Sequence, residues 1–72
     1  MHAKLEDFDT GWFGLQVGLT EQDIDALISK LSILRESRQH FHARSNFAGA
    51  GGIGDIEFYW ADSSLPSEMV LE

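Results

Sequence analysis

The sequence predicts an α+β fold: a two-layer sandwich with one amphipathic helix on a three- or four-stranded, mostly antiparallel sheet. Three observations predict it. Residues 20–37 carry apolar side chains at helical spacing, uninterrupted by glycine or proline. Shorter stretches on either side alternate apolar and polar residues at period two. A glycine-rich bend, Ala48–Gly54, joins the last two of those stretches. The expected order is β-α-β-β, with an extra N-terminal strand as a variant.

Met1–Lys4 reads as a loose end, and Lys4–Phe8 as a short strand that can pair with the next as a hairpin. Asp9-Thr10-Gly11 reads as a turn. Trp12–Val17 then places Phe13, Leu15 and Val17 on one face and Trp12, Gly14 and Gln16 on the other. Thr20 is a good helix N-cap, because its hydroxyl accepts from an amide of the first turn. Asp23 stands where a capping box places Glu or Gln, and Leu19 and Ile24 have the spacing of a hydrophobic staple. Ile24, Leu27, Ile28, Leu31 and Leu34 form the apolar stripe. Arg35 and Arg38 suit the negative end of the helix dipole.

The strand after the helix runs over about Gln39–Phe47. Phe41, Ala43, Ser45 and Phe47 are expected to face the helix, with His40, His42, Arg44 and Asn46 facing out. The last strand, Asp55–Ala61, sets Ile56, Phe58 and Trp60 against Glu57 and Tyr59. Being the most apolar, it is expected at the centre of the sheet, antiparallel to both neighbours. A right-handed crossover through the helix makes those two neighbours parallel. Residues 1–61 therefore read as a single domain, and 62–72 as an extended or mobile tail. Leu71–Glu72 is a dipeptide that commonly precedes a purification tag.

Composition narrows the function. A chain of 72 residues buries only about 60% of its unfolded surface, so its core is thin. With no cysteine there is no disulfide scaffold and no thiolate zinc site, which leans towards the cytoplasm. MHAKLEDF has no apolar run of a signal peptide, and no stretch reaches the roughly 18 apolar residues of a membrane span. Five basic against twelve acidic residues give a charge of −7, which disfavours nucleic acid and suits a basic protein partner. Plain solubility explains the same charge. No serine sits in a G-x-S-x-G turn, and there is no cysteine nucleophile. Asp55 and Glu57 read as lying on opposite faces of their strand, a poor acid/base pair. An enzyme is not expected, and no cofactor is implied. The glycine run lacks the G-x-x-x-x-G-K-[ST] pattern of a phosphate loop and reads as a hairpin loop.

One face of the sheet is expected to be uncovered. His40, His42, Arg44, Glu57, Tyr59 and Trp12 are its candidate partner-binding residues. His40 and His42, two apart on a strand, also point the same way, about 6–7 Å apart. With Glu57, or Asp55, they would form a two-histidine, one-carboxylate set for zinc or iron. Arg44 nearby opposes a cation.

The run HFHARSNFAGAGGIGDIEFYW, after a capped helix LTEQDIDALISKL, resembles immunity protein family thirty-two of bacterial polymorphic toxin systems. The resemblance covers about Trp12–Trp60, with His40, His42, Gly52, Gly54, Asp55 and Glu57 at matching positions. It implies an α+β fold and protection by binding a toxin encoded beside the protein. In a toxin-binding module the uncovered face offers His40, His42, Glu57, Tyr59 and Trp60 as candidate contacts. Trp60 ranks below Tyr59 because it alternates with core positions. A small metal-binding protein and a structural homodimer are the other two readings.

Overall fold

The computed structural model describes every residue, 1–72. Its order is β1 (His2–Asp7), β2 (Phe13–Gly18), α1 (Glu21–Ser37), β3 (Phe41–Arg44) and β4 (Asp55–Phe58). This is the expected α+β class: one helix, four strands, every pairing antiparallel. The extra N-terminal strand is present and pairs with its neighbour as a hairpin. It begins at His2, so the loose end expected for Met1–Lys4 is overturned. No helix is long and apolar enough to cross a membrane.

The ladder, however, is divided. β1 pairs only with β2, and β3 only with β4. The last strand is therefore not hydrogen-bonded between the other two, as the apolar ranking had suggested. The physical reason is loop closure: each hairpin joins strands that are close in sequence, at a low entropic cost. Asp9 (φ 57°) and Gly11 (φ 92°) turn the first connection, and the Phe8 amide donates to the Trp12 carbonyl at 3.1 Å. Met1, His2 and Ala3 face Ala43, Arg44 and Ile56 across a cleft between the hairpins.

The first hairpin is amphipathic. Its register sets Leu5 opposite Leu15 and Ala3 opposite Val17 on one face. On the other, Gln16 Nε2 donates to Glu6 Oε2 at 3.1 Å. The Phe8 ring lies over Gly14, where an added Cβ would stand 2.7 Å from the ring.

The helix begins as the sequence predicts, and the capping box is fully reciprocal. The Asp23 amide donates to Thr20 Oγ1 at 3.1 Å, and the Thr20 amide donates to Asp23 Oδ2 at 2.9 Å. The Met1 ammonium lies 3.1 Å from the same carboxylate oxygen. These contacts hold the Asp23 carboxyl down to about 2, the Thr20 backbone bond contributing most. Arg38 ends the helix in the left-handed region (φ 59°).

β3 is shorter than expected because local bonds take over after Arg44. Ser45 Oγ accepts from the Phe47 amide at 2.9 Å, and Asn46 Oδ1 accepts from the Ala48 amide at 3.0 Å. Such side-chain turns compete with a ladder. Phe47, expected in the core, is 72% exposed, with its ring folded over Gly54. Gly49 and Gly52 take positive φ in the bend, which forms an irregular hairpin loop.

No residue is buried. The better shielded apolar side chains are Leu27, Leu34, Phe41, Ala43, Ile53, Ile56 and Phe58, each half-buried. Phe41 and Phe58 stack at 4.8 Å. Leu27 lines an open cleft together with Val17 of the first hairpin and Phe41 and Phe58 of the second. The apolar stripe of the helix is not centred on that cleft. Ile24, Ile28 and Leu31 lie roughly 70–80° further round the axis than Leu27 and Leu34, at about 100° per residue. They stay exposed.

Candidate functional site

The two strands of the second hairpin build the site by register. His42 stands opposite Glu57, and Arg44 opposite Asp55. Residues two apart on a strand share a face. Asp55 and Glu57 therefore point to the same side, which corrects the expectation that they lie on opposite faces. Their partner ladder contacts show it directly. His42 Nδ1 lies 3.0 Å from both oxygens of Asp55, and His42 Nε2 lies 3.5 Å from Glu57 Oε1.

His42 is thus clamped between two carboxylates, and its side chain is 20% exposed. His40 lies edge-on to it, ring centroids 5.1 Å apart. Arg44 Nε lies 3.5 Å from Asp55 Oδ1, so its charge is directed at Asp55, on the Nδ1 side of the histidine. That weakens the objection that Arg44 would repel a cation held at Nε2. One ligand atom each from His40, His42 and Glu57 lies within 4.8 Å of the others. Tetrahedral zinc at about 2.0–2.2 Å needs ligand separations of about 3.3–3.6 Å. The His42–Glu57 distance already meets this; an exposed ring at His40 would have to close in by about 1 Å. Asp55 on Nδ1 stands where a carboxylate would orient a histidine that binds metal through its far nitrogen.

Beyond this cluster, Tyr59 follows β4 directly and is 61% exposed. Trp12 is 76% exposed, but it stands in the β1–β2 connection, on the other hairpin. Trp60 is half-exposed, with the Arg38 guanidinium 4.7 Å above its ring. That pairing was missed: nothing in linear spacing ties the residue after a helix to the one after the last strand. The Asp55–His42 bond was missed through the parity error, and the two-residue spacing of Asp55 and Glu57 would have found it.

No protein-family model, no curated protein and no solved structure matches the chain.

Proposed function

We propose that the chain is a non-enzymatic protein-binding module that neutralises a basic protein toxin through the outer face of β3 and β4. The observation that carries the reading is that face itself: Asp55 and Glu57 stand in solvent around His42, with Tyr59 exposed beside them. A charge of −7 steers a basic partner towards it. An exposed tyrosine is a good anchor at the centre of an interface. The sequence resemblance to immunity proteins supports the toxin as the partner, and the absence of cysteine suits a reducing cytoplasm.

The test is binding to the protein encoded beside this chain's gene. Tyr59→Ala and His42→Ala should each weaken binding at least about tenfold, a hot-spot-sized loss, and added salt should weaken it further. Full retention by both folded variants sinks the surface assignment. A second reading rests on the Asp55–His42–Glu57 geometry: zinc or iron(II) held by His40, His42 and Glu57. Zinc titration should then give saturable ring shifts at both histidines, reduced in Asp55→Asn. Unchanged ring signals would remove this reading and leave the first untouched.

A further inference from the structure

We propose that the working form is a homodimer in which a second copy covers the apolar face of the first hairpin and the Ile24–Ile28–Leu31 ridge of the helix. These surfaces are separate from the outer face of β3 and β4, so the inference stands independently of the toxin reading.

Area carries it. The chain exposes 6708 Å². A compact protein of 8.1 kDa exposes about 4,500 Å². The radius of gyration tells the same story: 14.1 Å, against about 11 Å for a compact chain of this length. Residues 62–72, with a single turn at Asp62–Leu65, account for about 1,200 Å² of the excess, taking their surface as that of an unfolded chain. About 1,000 Å² remains on the folded body. Stable homodimers bury about 1,000–2,500 Å² per subunit. The surplus therefore matches the lower end of what one copy gives up to another.

The surplus is also apolar and located. Leu5, Phe13 and Leu15 of the first hairpin are 57%, 58% and 49% exposed. Ile24, Ile28 and Leu31 of the helix are 45%, 58% and 44% exposed. A two-stranded hairpin with a wet apolar face is marginal in water at best. β1 and β2 make no ladder with β3 and β4, so intrachain sheet bonds do not rescue it. A two-fold arrangement satisfies both surfaces at once, since whatever one copy covers on its partner, the partner covers on it. The helix ridge of Ile24, Ile28 and Leu31 carries Arg35 in line with it and is flanked by Glu21 at its N-terminal end.

Sedimentation across a range of protein concentration tests the proposal. The expected mass is twice 8.1 kDa, and the thermal midpoint should rise with concentration. Added salt should strengthen the dimer by screening two like-charged chains, the opposite of its effect on a basic partner. Phe13→Asp and Ile28→Asp should each shift the mass towards the monomer. Should they unfold instead, a mixture of isotope-labelled and unlabelled wild-type chains gives the answer: cross-peaks between copies at Leu15 and Ile28 methyls are expected. A monomeric mass at every concentration, with a constant midpoint, overturns the proposal. So does a monomer whose residues 65–71 fold back over the hairpin, or one whose surfaces close only around a different protein.

Discussion

Leu31→Ala measures how wet the helix ridge is. Fully burying a leucine side chain contributes about 1.5–3 kcal/mol. Leu31 is 44% exposed in the single chain, so only somewhat more than half of that is realised, and alanine keeps part of it. Contacts within one chain therefore set the cost at about 1 kcal/mol. A ridge covered by a second copy gives a different number: the lost methyl groups leave a gap between two surfaces, and the cost rises to about 2–5 kcal/mol. The homodimer thus predicts a loss above about 2 kcal/mol, or at least 8 °C in the thermal midpoint at roughly 4–8 °C per kcal/mol. Urea unfolding of both proteins at concentrations about a hundredfold apart is the assay. Leu27→Ala is the reference, because Leu27 is already half-buried within the single chain and its loss does not depend on concentration. A Leu31→Ala cost near 1 kcal/mol at both concentrations would refute the reasoning.

Three further outcomes follow from local features. Thr20→Ala removes the acceptor of the Asp23 amide and should cost about 1 kcal/mol in urea unfolding; no loss would mean that the box is idle. The Asp23 carboxyl is held down to about 2, below its ordinary 3.8, so its contribution to stability is complete above 3.8 and lost as pH falls towards 2. Asp23→Asn should therefore flatten acid destabilisation across that window, and an unchanged slope would reassign it. Gly14→Ala puts a methyl group against the Phe8 ring, but Phe8 is half-exposed and free to swing away. The expected result is a shifted ring signal with stability changed by no more than about 1 kcal/mol; a larger loss would show that the ring is pinned.

The helix and the strand alternation were legible because each is a local code. Thr20, Asp23 and the stripe from Ile24 to Leu34 specify α1 within seventeen residues, almost to its observed ends. The polar face around His42 was legible for the same reason, since period-two alternation puts His40, His42 and Glu57 together. The division into two hairpins was not. Apolar content ranked the last strand as central, but ranking says nothing of which loop closes first. Phe47 failed as a core residue because the hydroxyl of Ser45 and the amide side chain of Asn46 bend the chain before it reaches the sheet. The rolled position of the helix was also invisible, because a stripe defines an apolar face without saying how many surfaces share it.

The divided ladder also sets an order of events. β1–β2, α1 and β3–β4 each close between residues near in sequence, the farthest ladder partners being Phe41 and Phe58. Helix–coil relaxation takes about 0.1–1 μs and hairpin formation about 1–10 μs. The units first come together within one chain, which half-buries Leu27, Phe41 and Phe58; in the proposed homodimer the slow step is then the encounter between chains. Refolding should show a microsecond phase followed by one whose rate scales with protein concentration. A nascent chain would spend that interval with Phe13, Leu15 and Ile28 in water, and its vulnerability to proteases would depend on how many copies had already been made.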